Sequence, residues 1–249
     1  MVSSNTPNLN GYEQYVSRRT LLMGGAALAT LGLAWSLTTQ TRTAVGSSRT
    51  PRARPRPAKL PIEDLLKPGP MPEMAIGSAD APVTIVEYAS LTCPACANFH
   101  NNVLPALKQK YIDTGKVRLV FREFILNEKD ARAAMTARCA GGDKSLPLVS
   151  ALYSKQEEWA TASTANEFFG KLFALGQQVG VTRQGFTKCQ QDEKLLKNLV
   201  ALRDRGGGFG VESTPTFFVG VAQTPTGFNK LAGATIEDFD KAIEPLLTR

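Results

Sequence analysis

The sequence predicts an α/β fold with an inserted all-helical subdomain, and three observations carry that expectation. A short β-branched run, Val83-Thr84-Ile85-Val86-Glu87-Tyr88, leads through residues 89–92 into Cys93-Pro94-Ala95-Cys96, which heads a long helical pattern. An alternating run at residues 116–124 (KVRLVFREF) follows that helix, so the order is strand, helix, strand. From Glu128 to about Asp204 the chain is then nearly strand-free and helix-compatible, and strand signals resume only at residues 215–219 (PTFFV).

Taken from the N-terminus, the first element is a mostly apolar run, Leu21 to Leu37, inside an uncharged stretch from Thr20 to Thr41. A bilayer-spanning helix needs about 20 apolar residues, so this Gly/Ala-rich run at the short edge suits an export-signal core better than a permanent anchor. Directly before it, Ser17-Arg18-Arg19-Thr20-Leu21-Leu22 resembles the twin-arginine export signal, with Leu21 where Phe is common and Met23 where Lys is usual. A small-x-small cleavage point lies at Ala44-Val45-Gly46. A general secretory signal and an uncleaved anchor are the alternatives, and each exports the remainder of the chain. Residues 1–46 are thus read as an export signal and residues 47–76 as a Pro/Arg-rich linker with little to bury.

The folded part is expected from Gly77 onward. It divides into a first half at 77–127, a helical insertion at 128–205 and a second half at 206–249. Pro105 is expected to kink the helix that runs from Cys93 to about Tyr111. Within the insertion, residues 166–179 and 192–205 are the clearest helices. The run Gly206-Gly207-Gly208-Phe209-Gly210 reads as a hinge or helix terminator, since it lacks the strand-before, helix-after setting of a phosphate loop. Another strand signal lies near residues 227–231, and a last helix is expected from Ile236 to Leu247.

Composition excludes several classes. The 249 residues include 43% hydrophobic residues and four cysteines, which rules out collagen-like, fully disordered and disulfide-dense miniprotein classes. The net charge of +7 would ordinarily raise nucleic acid as a partner. Residues 1–59, however, hold eight basic residues and a single acid, Glu13, and the rest of the chain carries equal numbers of each sign. The basic character belongs to the N-terminal quarter, so no nucleic-acid partner is expected and membrane contact is confined to that segment. A nucleophilic hydrolase is unsupported: no G-x-S-x-G occurs, and the single histidine, His100, lies beside the cysteines.

Two cysteines three apart at a helix start put the first sulfur against unsatisfied backbone N–H groups, which favour its anion. Cys93 is therefore the expected nucleophile, and Cys96, one turn further in, the resolving thiol. Pro94 suits an early helical position, where its missing N–H costs nothing. His100 stands at i+4 from Cys96 on the same helical face and reads first as a packing histidine, with tuning of the thiols as the alternative.

At this point the residues resemble the DsbA-like branch of the thioredoxin superfamily. The resemblance rests on VTIVEYASLTCPACANFH at 83–100, on VRLVFREF, and on Ser213-Thr214-Pro215-Thr216-Phe217-Phe218-Val219. It implies a thioredoxin-like fold split by the helical insertion and an exported protein thiol:disulfide oxidoreductase. It also implies that Cys93 forms the mixed disulfide and Cys96 resolves it. Thr214 and Pro215 would form the cis-proline loop facing the active disulfide. Glu87 would be the buried acid that moves a proton off the resolving thiol, a task consistent with a lone carboxylate that resists ionisation in an apolar strand. Strongly oxidising members commonly carry His between the cysteines. Ala95 supplies neither charge nor hydrogen bond, so a milder oxidase, a reductase or an isomerase is expected.

Cys139 and Cys189 remain. With Cys93 and Cys96 locally paired, a Cys139–Cys189 structural disulfide is the economical second bridge, as in some relatives, and two free buried thiols are the alternative. A zinc site would need Cys139, Cys189 or His100 beside the C-x-x-C, but these are isolated rather than clustered. No metal or cofactor is expected beyond the redox-active Cys93–Cys96 pair. Expected partners are protein substrates with thiols or disulfides and a membrane redox partner, in a periplasmic or extracytoplasmic setting. The competing class is a binding or chaperone module in which the C-x-x-C is only a structural bridge.

Overall fold

The computed structural model describes residues 59–224 and 227–248. The export-signal expectation for residues 1–46, and the linker expectation up to residue 58, lie outside the described residues. Among the described residues no helix is long and apolar enough to cross a membrane.

A five-stranded sheet organises the chain in the order β1-β3-β2-β4-β5. Its strands are β1 (Met74–Ile76), β2 (Val83–Ala89), β3 (Val117–Glu123), β4 (Thr216–Val221) and β5 (Asn229–Lys230). β2 and β3 are parallel, and the other pairings are antiparallel. All seven residues of β2 are buried, as its central place and unbroken β-branched run require. Side chains alternate across the sheet. Val83 and Ile85 join one core cluster with Phe99, Leu107, Phe217, Phe239 and Ile243. Val86 and Tyr88 join the opposite cluster with Leu65, Val120 and Phe218. Glu87 shares parity with Ile85, so it faces the helix that follows β2.

That helix, α1, starts at Pro94–Asn98, widens to π geometry at Phe99–Val103, returns to α at Leu104–Leu107 and widens again at Lys108–Ile112. The expected break at Pro105 is thus spread over wide turns on either side, which accommodate a residue with no N–H and a ring that crowds the preceding turn. Six helices then precede β4. They are α2 (Glu128–Ala140), α3 (Ser145–Ser154), α4 (Gln156–Ala160), α5 (Ala165–Gln178), α6 (Arg183–Gln190) and α7 (Glu193–Gly208). Asn127, Thr164, Thr182 and Asp192 cap α2, α5, α6 and α7 by accepting from backbone N–H groups. The last helix, α8 (Ile236–Leu247), opens with a capping box between Thr235 and Asp238 and packs Phe239 and Ile243 on the sheet.

One expectation needs correction. The folded region starts well before Gly77: Leu65 is fully buried against Val86 and Tyr88, and β1 adds a strand to the sheet edge. Three arginines hold this segment by donating to its carbonyls. Arg122 reaches Leu65, Arg205 reaches Asp64, Lys67 and Pro68, and Arg138 reaches Pro72. Proline-rich chain makes few backbone bonds of its own, so its packing depends on distant donors that local composition does not reveal. Gly206–Gly208 form the last turn of α7, and the helix terminates within the glycine run as its sequence suggests. A Cβ at Gly206 would lie 2.9 Å from two ring carbons of Tyr88, so the glycine there permits close approach of helix and sheet. Gly210, at φ +81, is the residue that turns the chain away.

Candidate active site

β2 ends at Ala89, and residues 90–93 carry the chain to the start of α1. Cys93 is the N-cap residue, in extended conformation, with Pro94 beginning the helix. Its side chain is half-buried, whereas Cys96 is fully buried one turn inward. Both are free thiols here. The Cys93 thiol lies 3.2 Å from the Thr214 carbonyl, which precedes Pro215 across a cis peptide bond.

The two sulfurs are strongly differentiated. A hydrogen bond from the Cys96 side chain is the largest influence on Cys93 and lowers its pKa to about 5, against the opposing effect of partial burial. The Thr214 side chain and the amides of Cys96 and Ala95 lower it further. Cys96 moves the other way, far above the ordinary thiol range. Burial is the main cause, followed by its hydrogen bond to Cys93 and the charges of Glu87 and Cys93. The exposed Ala95 side chain adds nothing, but these other groups stabilise the Cys93 anion without a histidine between the cysteines.

Beneath Cys96, Glu87 is fully buried and is not a lone carboxylate. His100 Nε2 lies 3.0 Å from each of its oxygens. The imidazole stacks on Tyr153 with ring centres 4.3 Å apart and meets Phe99 and Phe121 edge-on. The packing reading of His100 therefore understates it: the ring is packed, and it also pairs with the candidate acid.

The segment leading to Cys93 is held by side chains of the helical region. Asp130 of α2 accepts from the Leu91 and Leu126 amides, each at 2.8 Å. Burial raises its pKa to about 6. Gln156 of α4 donates to the carbonyls of Leu91 and Cys93 at 2.7 and 3.0 Å. Tyr153 donates to the Ser90 carbonyl, and Asn127 to the Thr92 hydroxyl. Sequence reasoning missed Asp130, Tyr153 and Gln156, whose partners lie 39 to 65 residues away. The only local signal was Asn127 followed by Asp130, which marks a helix start and nothing more.

The structure thus gathers Cys93, Cys96, Thr214, Pro215 and Glu87 around the start of α1. Cys139 and Cys189 are joined in a disulfide with Cα atoms 6.0 Å apart, linking α2 to α6. Among the described residues no group of three or more His, Cys, Asp or Glu side chains is placed to hold a metal ion.

Comparison with known proteins places the chain in a family and a fold. The family model described as thioredoxin matches residues 71–244. A putative protein-disulfide oxidoreductase of Rickettsia bellii is 38% identical over 179 residues, spanning 69% of this chain and 65% of the relative. The chain therefore covers just under two thirds of that relative's length. A probable disulfide bond formation protein D of Bacillus cereus is 46% identical over 59 residues, or 24% of this chain and 27% of that protein. Among solved structures, alpha-DsbA1 of Wolbachia pipientis superposes with a TM-score of 0.66 at 28% identity, covering 75% of this chain and 96% of that one. Oxidised BdbD of Bacillus subtilis gives a TM-score of 0.60 at 20% identity, covering 71% and 94%, a likeness of fold.

Proposed function

The chain belongs to the thioredoxin family, and from that membership we propose that it is an exported thiol:disulfide oxidoreductase that acts on protein substrates through Cys93 and Cys96 and promotes disulfide formation. The observation that carries the proposal is the asymmetry of the two thiols. Cys93 is half-buried and ionises at about pH 5, while Cys96 is buried and resists ionisation. Thiolate is the attacking form, and the thiol of lower pKa leaves faster.

In the proposed reaction a substrate thiolate attacks Cys93 Sγ of the Cys93–Cys96 disulfide. The S–S bond breaks, Cys96 leaves with the electron pair and takes up a proton, and a substrate–Cys93 mixed disulfide forms. A second substrate thiolate attacks the substrate sulfur and expels Cys93 as thiolate. The substrate is oxidised by two electrons and the enzyme reduced by two; a membrane oxidase would accept them and restore the disulfide. Thr214 and Pro215 would present backbone to the substrate beside Cys93, and Glu87 would exchange the Cys96 proton. The helices of residues 128–205, inserted between the two halves, would hold the segment that carries Cys93. Residues 1–46 would direct export to the periplasm or another extracytoplasmic space.

The experiment is oxidation of a reduced, unfolded test protein by the oxidised enzyme, with Cys93→Ser alongside. Formation of disulfides by the wild type and its loss in the variant is the expected result; equal rates in both would sink the proposal. Alkylation of freshly lysed cells separates the direction: a resting Cys93–Cys96 disulfide fits an oxidase, and a resting dithiol fits a reductase or isomerase.

A further inference from the structure

We infer that His100 is a positioning residue for the resolving step: through Nε2 it holds the Glu87 carboxylate where that group receives the proton of the Cys96 thiol. The inference rests on the thiol–disulfide exchange proposed above and concerns its first step taken in reverse, in which Cys96 attacks the mixed disulfide and the substrate leaves.

The placement follows from two periodicities. Strand alternation turns Glu87 toward α1. On α1, Cys96 and His100 are four residues apart and both buried, so they lie on one inward face above Glu87. The charge on Glu87 is among the influences acting on Cys96. Glu87 and His100 thus sit beneath the buried thiol, cut off from solvent.

The contact itself is informative. Nε2 stands 3.0 Å from both carboxylate oxygens, the geometry of one N–H shared between two acceptors. Nδ1 is buried with no hydrogen-bond partner in the structure. A proton on Nδ1 would be an unsatisfied buried donor on a cationic ring, which costs more than a bare nitrogen lone pair. The geometry therefore places the ring hydrogen shared with the carboxylate on Nε2.

The ring cannot easily leave this pose. Tyr153 stacks on it, Phe99 and Phe121 flank it, and Tyr153 is itself anchored by donating to the Ser90 carbonyl. The titratable groups around the pair are Cys96 and Cys93 of α1, Tyr153 of α3 and Asp130 of α2, which also influence one another electrostatically. Of these, Cys96 is the one whose proton must move for resolution to proceed.

The step balances as follows. With Cys93 held in a mixed disulfide, the Cys96 S–H bond breaks and its proton passes to a Glu87 oxygen. The Cys96 thiolate attacks Cys93 Sγ, the Cys93–Cys96 bond forms, and the substrate sulfur leaves as thiolate with the electron pair. Glu87 keeps its second oxygen on the His100 N–H throughout. Without that N–H, the buried carboxylate loses the hydrogen bond that fixes its position and no longer holds an oxygen toward the Cys96 thiol.

The test uses the reduced full chain and an aryl disulfide, dithiobisnitrobenzoate, in stopped flow. Attack by Cys93 releases one coloured aryl thiolate, and resolution by Cys96 releases a second. His100→Phe should slow the second phase by about 10-fold to 100-fold relative to the first, the scale of a lost proton acceptor. The deficit should shrink as pH rises and hydroxide takes over. His100→Gln, which keeps a donor, should restore the second phase to within about five-fold, the span of a hydrogen-bond energy near 1 kcal/mol. Glu87→Gln should slow the second phase alike, and adding His100→Phe to it should cause no further loss. A second phase in His100→Phe with the wild-type rate and pH profile overturns the inference, as does an additive double variant.

Loss of the first phase in the wild type would count against the exchange proposal instead. Should His100→Phe fail to fold, the wild type decides alone. The chain has one histidine, so a long-range proton–nitrogen correlation spectrum reports its two ring nitrogens directly. Hydrogen on Nε2 with Nδ1 bare is expected in the dithiol protein, and the opposite tautomer would refute the inference.

Discussion

Asp130 offers a quantitative test of how the helical region supports the segment that leads to Cys93. Its carboxylate is almost wholly buried and accepts from the Leu91 and Leu126 amides. Burial outweighs those bonds and raises its pKa from 3.8 to about 6. A carboxyl whose pKa is higher in the folded than in the unfolded protein binds protons more tightly when folded. Its contribution is therefore fully present below about pH 4 and is lost as pH rises through 6. At 1.36 kcal/mol per pH unit, this amounts to about 3 kcal/mol. Asp130→Asn removes the titration, keeps one acceptor, and turns an amide group toward the other backbone donor. Urea unfolding of both proteins at pH 4 and pH 7.5 gives the stability difference at each pH. Groups that titrate in both proteins, Cys93 among them, cancel in the comparison. The wild type should gain about 2.4 kcal/mol on the variant at the lower pH, less than the full amount because pH 4 lies at the unfolded pKa. A difference that stays constant across this range would mean that the ionisation of Asp130 is not coupled to folding, and the reasoning would fail.

Alkylation of Cys93 followed against pH should show a midpoint near 5, and Cys96→Ala should raise it by removing the largest stabilising influence; an unchanged midpoint would shift the explanation to Thr214 and the helix amides. Replacing Cys139 and Cys189 together by serine should destabilise the protein by roughly 3–4 kcal/mol in chemical unfolding, from reopening a loop of 50 residues, while leaving the alkylation midpoint of Cys93 in place. Gly206→Ala should lower stability by about 1–3 kcal/mol through its clash with the Tyr88 ring, which a shift in the thermal melting temperature will record.

The legible features are those whose signal is local. Cys93-x-x-Cys96 follows a β-branched strand and opens a helix, so its surroundings identify it within about twenty residues. The strand alternation that turns Glu87 toward α1, and the four-residue spacing of Cys96 and His100, were also open to reading. What they lacked was a reason to bring His100 across to Glu87 rather than leave it among aromatic rings. Asp130, Tyr153 and Gln156 were beyond reach because each acts on backbone amides or carbonyls, which look alike at every position. The same blindness covers Arg122, Arg138 and Arg205. A Pro-rich stretch reads as linker until distant guanidinium groups supply the donors that let its carbonyls and Leu65 be buried.

The acidic Cys93 thiol bears on the direction of the reaction more than on its speed. Lowering a thiol pKa from 9.0 to about 5 raises the thiolate fraction at pH 7 from about 1% to about 99%, roughly a hundred-fold gain in attacking species. Intrinsic nucleophilicity falls with pKa along a slope of about 0.4–0.5. Across this range that is a loss of roughly 40-fold to 100-fold, so the two effects nearly cancel for attack by Cys93. Nothing cancels its advantage as a leaving group. Once a mixed disulfide has formed, a second substrate thiolate expels Cys93 readily, and the stabilised thiolate favours the reduced enzyme at equilibrium. Cys96 adds to the asymmetry, because its resistance to ionisation slows the competing attack that would return the substrate reduced. A Cys93 pKa this low favours the proposed oxidase direction even with Ala95 between the cysteines. Raising the Cys93 pKa toward 7 should leave its attack rate on small disulfides within a few-fold while slowing substrate oxidation.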